Sequence, residues 1–192
     1  MLLKLEKQVM IDTLISSKTR IKLLLKFFLN SRNASYLRGL ESEFNDSSNA
    51  IRVELNRLED AGFIQSDMKG NKKMYRANTR HPLFEEIHNI IRKHIGIDHI
   101  ITNVIERLGT VHAVFLTGSF AKGIDSPVID LIIIGEVDKI YLLQLIEKAE
   151  TMVERKIRYL LYTREEWTDD ILKAYDPQPF QIYAEPETTL ET

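Results

Sequence analysis

The segment IDLIIIG, residues 129–135, constrains this chain more than any other. So short and so nearly unbroken an apolar run suits a strand buried on both faces, which needs a sheet with helices packed over it. The flanking patterns supply the rest of such a body. HAVFLTGS (112–119) reads as a strand running into a Gly-Ser turn, KIRYLLYT (156–163) as a third strand, and residues 97–108 and 138–152 as helices. Thr163 and Glu166 have the spacing of a capping box for a helix carrying Trp167, Ile171 and Leu172. Residues 176–192, with three prolines and an acidic end, read as a poorly ordered tail or a docked edge segment.

The period changes in the first half of the chain. Ile21, Leu24, Leu25 and Phe28 recur at i, i+3, i+4, i+7, one buried stripe of a helix over 19–29. Ser35 is the expected N-cap of a second helix, with Tyr36, Leu37, Leu40 and Phe44 available to pack. After the NDSS turn, Ile51, Leu55 and Leu58 share one face of a third helix, which Gly62 stops. Two short alternating runs around Lys69-Gly70-Asn71 predict a hairpin. A further helix, from about Pro82 to Ile95, links the halves.

Composition narrows the chemistry. The 192 residues include no cysteine, which excludes a disulfide framework, a thiolate zinc site and a cysteine nucleophile. The five histidines show no i, i+4 pair, so a histidine metal site is not expected. Charge breaks the apolar stretch of MLLKLEKQVM, and it has no small-residue cleavage site, so a cytoplasmic protein without a membrane span is expected. The net charge of -2 conceals an asymmetry. Residues 1–95 hold 17 of the 26 Lys+Arg and 11 of the 28 Asp+Glu, a balance of +6; the remaining 9 and 17 give -8. A basic half suggests a polyanion partner, though a solvated face can carry as much charge.

On the third helix, the face opposite Ile51, Leu55 and Leu58 carries Asn49, Arg52, Val53 and Asn56. Asn pairs with adenine, Arg with guanine and an apolar methyl with thymine in a major groove. Ser47 and Ser48, with the free N–H groups of the first turn, suit a phosphate oxygen. Lys69, Lys72, Lys73 and Arg76 gather at the hairpin, where cations reach a phosphate backbone. Glu54, Glu59 and Asp60 weigh against tight binding by a single copy, a weakness that a dimer offsets. The stretch from TRIKLLLKFFLN to KKMYRAN, above all LNRLEDAGFI (55–64), resembles the winged helix-turn-helix domains of ArsR/MarR-type transcriptional regulators. The resemblance implies double-stranded DNA as partner, a homodimer, the helix in the major groove and the hairpin on the backbone. LLKLEKQVMIDTLI near the start is a candidate dimer helix, although core packing explains its apolar spacing equally well.

In the acidic half, FLTGSFAKGIDSPVIDLIIIG resembles the signature of minimal nucleotidyltransferases: strand, Gly-Ser, short helix, then Asp-x-Asp on the next strand. Gly118, Ser119, Phe120, Ala121, Lys122 and Gly123 match, and Asp130 matches the second Asp. Val128 stands at the first. Transfer in that family needs carboxylates that hold two divalent ions, and one carboxylate cannot do so. A third acidic residue is expected on KIRYLLYT, where the residues facing the site are Arg158 and Leu160. Gly118, Ser119, Lys122 and Asp130 remain candidates for binding a phosphate or nucleotide, or the Gly-Ser pair serves only a tight turn.

The expected fold is therefore α+β: an N-terminal winged helix-turn-helix domain with its linker helix (1–95), a small α/β nucleotidyltransferase-like domain (96–175) and a tail (176–192). The expected function is a DNA-binding transcriptional regulator whose degenerate second domain serves dimerisation or ligand sensing, with no cofactor. The first alternative is a nucleotidyltransferase acting on a protein or small molecule, for which Mg2+ would be required; the second is a pure interaction module, such as an antitoxin-like protein.

Overall fold

A computed structural model describes residue 11 and residues 14–185. Its architecture is α+β, and the chain divides into two compact units. One comprises the residues up to Ile95 together with Lys122–Asp125; the other comprises Gly96–Ala121 and the residues from Ser126 onward. The candidate dimer helix lies almost wholly outside the described residues. Among those described, no helix is long and apolar enough to cross a membrane.

In the first unit, helix α1 (Lys18–Leu24) starts at Ser17, whose hydroxyl accepts from the Arg20 N–H, and widens into a looser helical turn over Leu25–Leu29. That turn buries Phe27, Phe28 and Leu29 almost completely. A short strand β1 (Ala34–Tyr36) leads into α2 (Leu37–Phe44). Here the expectation for Ser35 fails. Ser35 pairs with Tyr75 across the sheet and is buried, so the helix begins one residue later, from Tyr36, without a side-chain cap. The pull of the strand outweighs local capping chemistry.

Helix α3 (Ser48–Asp60) is capped by Ser47, and Gly62, at φ 76°, turns the chain into β2 (Ile64–Lys69). Strand β3 (Lys72–Ala77) pairs antiparallel with β2 up to Lys69↔Lys72 and also takes β1, giving the order β1-β3-β2. Ile51, Leu55 and Leu58 are buried as their spacing requires. Helix α4 (Phe84–Ile95) stacks the Phe84 ring on Phe28 at 5.6 Å and sets His88 Nδ1 2.6 Å from the Phe28 carbonyl.

The second unit opens with α5 (Ile97–Asn103), shorter than the 97–108 helix expected, because the chain tightens into a separate turn over Ile105–Arg107. Strand β4 (Thr110–Thr117), the short helix α6 (Gly118–Ala121), β5 (Val128–Glu136), α7 (Lys139–Val153) and β6 (Lys156–Tyr162) follow. Strand β5 is antiparallel to β4 and parallel to β6, with α7 as the crossover. Ile129 and every residue of 131–135 are buried, which is why the run is so nearly unbroken.

The capping box over Thr163 and Glu166 forms, with Thr163 N–H donating to Glu166 Oε2 at 2.9 Å and Glu166 N–H to Thr163 Oγ1 at 3.3 Å. It closes one turn only. The helix α8 (Asp169–Lys173) is instead capped by Thr168, and Trp167 precedes it, stacked on Phe115 at 5.4 Å. Part of the segment read as a tail or docked edge is strand β7 (Phe180–Ala184). It pairs antiparallel with β4 and completes the order β6-β5-β4-β7.

Candidate functional site

Two surfaces gather the residues singled out by the sequence, one in each unit. On α3, Asn49, Arg52, Val53 and Asn56 are all exposed, Val53 at 41% despite being apolar. Of the acids of the same helix, Asp60 at its end is exposed, while Glu54 and Glu59 are turned into pairs within the fold. Glu54 is 5% exposed and lies against α1, where it accepts from Arg20 Nε at 2.8 Å and from Arg57 Nη1 at 3.2 Å. Burial by itself would raise the Glu54 carboxyl, but hydrogen bonds from Arg20 and Ser17 and the charges of Arg20 and Arg57 hold it below its ordinary value. Glu59 is likewise pushed up by burial and pulled further down by Lys73 and Ser66. The expected interference from Glu54 and Glu59 is therefore much reduced: their charges are taken up inside the fold.

The serines divide. Ser47 Oγ accepts from the Ala50 N–H at 3.2 Å, so its side chain is committed as the cap, while Ser48 is half-buried in the first turn.

The four hairpin cations are not equivalent. Lys73 Nζ sits 2.7 Å from Glu59 and 5.0 Å from the Tyr75 ring centroid, and the Glu59 hydrogen bond is the main reason its pKa is raised. Arg76 Nη2 pairs with Asp67 across the two strands at 2.7 Å. Lys72 lies over the Tyr36 ring at 4.3 Å. Only Lys69 and Lys72 lack a carboxylate partner among the described residues, and Lys69 is next to the exposed Gly70-Asn71 tip.

In the second unit, Gly118 turns β4 into α6 at φ 64°, and a Cβ added there would run into the Asp130 carboxylate. Asp130 is opposite Thr117 on β4 and beside Arg158 on β6. Arg158 Nε donates to Asp130 Oδ1 at 2.7 Å, and this hydrogen bond, with the carboxylate charge, raises the Arg158 pKa. Arg158 and Leu160 do face the same side of the sheet as Asp130, but they do not fill a cleft: their exposures are 72% for the Arg158 side chain and 49% for Leu160.

The arrangement has two chemical consequences. Asp130 is committed to a guanidinium, so it is not an open metal ligand, and a carboxylate has no proton to offer a phosphate. Among the described residues, no group of three or more His, Asp and Glu could hold a metal ion. The residues present do not fit the two-metal carboxylate set. Ser119 is half-buried at the turn, and Lys122 belongs to the first unit, where its carbonyl accepts from the buried Lys26 Nζ at 2.8 Å. The ion pair at Asp130 is what sequence reasoning missed. Its only signal was a basic residue at the strand position where an acid was expected.

No protein-family model matches the chain, and no curated protein matches it. Several solved structures share a distant likeness. A mutant toxin–antitoxin pair MntA–HpeT is 15% identical over 47% of this chain and 73% of its own, with a TM-score of 0.35. Reduced HlyU from Vibrio cholerae is 15% identical over 45% and 86%, also with a TM-score of 0.35. The tri-AMPylated Shewanella oneidensis HEPN toxin in complex with the MNT antitoxin is 16% identical over 46% and 69%, with a TM-score of 0.34. Scores this low assign neither fold nor function.

Proposed function

We propose that the chain is a DNA-binding regulator whose first unit is a winged helix-turn-helix and whose second is a catalytically degenerate nucleotidyltransferase-like domain used for association or ligand response. In this reading α3 enters the major groove and Lys69 and Lys72 lie against the phosphate backbone. A single observation carries it. The exposed side of α3 presents Asn49, Arg52, Val53 and Asn56, while Glu54 and Glu59 of the same helix are neutralised by Arg20, Arg57 and Lys73. The helix thus offers a groove donors, amides and a methyl-bearing side chain with little carboxylate repulsion.

The order helix, short strand, helix, helix, hairpin also supports the first half of the reading. Support for the second half comes from the order strand, Gly-Ser helix, antiparallel strand with Asp130, crossover helix and parallel strand. A homodimer on a two-fold site would supply the affinity that one helix lacks. The test is selection of genomic fragments followed by gel shifts at several salt concentrations. Expected is an enriched fragment whose affinity falls by about 1–3 kcal/mol in Arg52→Ala. No enrichment, with Arg52→Ala indistinguishable from the parent, overturns the proposal.

One observation favours the nucleotidyltransferase reading instead: the tight Gly118 turn lies directly against Asp130, so two parts of the resembled signature meet. Incubation with labelled NTP and magnesium separates the two. Incorporation that Asp130→Asn abolishes replaces the degenerate-domain reading; no incorporation retains it.

A further inference from the structure

The Asp130–Arg158 pair does more than close a metal site. A guanidinium has five N–H donors, and Asp130 engages Arg158 through Nε. The two Nη groups have no partner among the described residues, and the side chain is 72% exposed. A carboxylate behind an arginine fixes the plane of its fork and so lowers the entropy lost when the outer edge binds an anion. The result is an oriented cation on the strand where the nucleotidyltransferase resemblance leads one to expect a third carboxylate.

The same face of β6 continues through Leu160 to Tyr162, since alternate residues of a strand share a side. Leu160 is 49% exposed, although apolar. Tyr162 meets Trp167 at 5.5 Å between ring centroids, and Trp167 stacks in turn on Phe115. Burial and the neighbouring Tyr162 push the Tyr175 hydroxyl up to about 12. Four residues of strand separate Arg158 from Tyr162, roughly 13 Å at the rise of a β-strand. One strand face therefore runs from an oriented cation, across an exposed aliphatic patch, to half-buried aromatic rings.

We propose that this face of β6 binds a phosphorylated aromatic ligand of the mononucleotide class without a metal ion, its phosphate on the Nη edge of Arg158 and its ring against the Trp167–Tyr162 pair. Arg158 provides the charge that a divalent ion provides elsewhere, and Asp130 acts as its positioning residue. The inference deepens the ligand-response half of the reading above and is independent of whether α3 binds DNA.

Trp167 is the chain's one tryptophan, so its emission reports directly on the aromatic end. The full chain is titrated with ADP in excess EDTA, followed by Trp167 fluorescence and calorimetry, with inorganic pyrophosphate and adenosine as further arms. Expected is a saturable change in Trp167 emission with ADP, displacement by pyrophosphate without that change, and an affinity for ADP about tenfold or more weaker in Arg158→Gln. Thermal melts establish that this variant of an exposed side chain folds as the parent does. Absence of saturable binding in EDTA, equal affinity in Arg158→Gln, or adenosine binding as tightly as ADP overturns the proposal. Gel shifts and ADP titration of Arg52→Ala keep the two readings separable: loss of DNA binding with intact ADP binding bears on α3 alone.

Discussion

Helix α3 and strand β5 each carry a carboxylate held by an arginine, with opposite consequences. Glu54 is buried, and its pairing with Arg20 and Arg57 takes a negative charge away from a face otherwise made of Asn49, Arg52, Val53 and Asn56. Asp130 is half-buried beneath an exposed Arg158, and this pairing removes a metal ligand and leaves a cation outward. In the proposed reading, the same kind of ion pair opens one surface to a polyanion and closes the other to magnesium. What decides the outcome is which partner faces solvent, and that is a property of packing rather than of residue type.

The comparison breaks most severely if the inward face of α3 is lost. Leu55→Ala at a fully buried position is expected to cost about 2–5 kcal/mol and to lower the denaturant midpoint with little change in slope; an unchanged midpoint would mean that α3 is not packed as described. Next in size is Arg52→Ala set against Lys69→Ala. The first should weaken a selected fragment selectively, by about 1–3 kcal/mol. The second should weaken all fragments alike and reduce the slope of log K against log salt by about one. Equal behaviour would erase the distinction between a reading face and a backbone contact.

Gly118→Ala comes third. At φ 64° with the Asp130 carboxylate in the way, it should destabilise by about 1–2 kcal/mol. Combination with Asp130→Ala should return part of that loss, as contacting sites do in a double-mutant cycle; strict additivity would show that the two do not touch. Ser47→Ala should cost about 1 kcal/mol through the lost cap, measured by thermal melts.

Acid sharpens the contrast in another way. Glu54 and Glu59 are held low despite burial, and Asp46 is held low chiefly by its hydrogen bond from Lys22, against the burial that raises it, and by Thr19. Each is more acidic folded than unfolded. Their stabilisation is therefore complete above the unfolded carboxylate range, about pH 4 to 4.5, and is lost as pH falls through the folded values. Melts followed downward from pH 6 should show Tm falling across that window, and Glu54→Gln should flatten part of the fall. A Tm independent of acid would contradict the pairing.

Periodicity alone carried much of the architecture. The stripe Ile51, Leu55, Leu58 put Asn49 and Arg52 outward because a helix of given pitch has only one opposite face. The unbroken run 129–135 required a covered central strand, and β5 is one. Local signals failed where a longer-range partner competed. Ser35 was drawn into β1 by β3, and the Thr163 box closed a turn whose continuation Trp167 left for Phe115.

By itself the sequence determined where most of the helices and strands form, which face of α3 is greasy, and that the acid expected at Val128 is missing, since these depend on neighbours a few residues apart. Only the tertiary structure decided that Glu54 turns inward, that residues 180–184 close the sheet edge, and that Arg158 lies beside Asp130. The last pairing joins residues 28 apart through the register of two parallel strands. Register is set by the packing of the whole sheet and leaves no local mark at either residue.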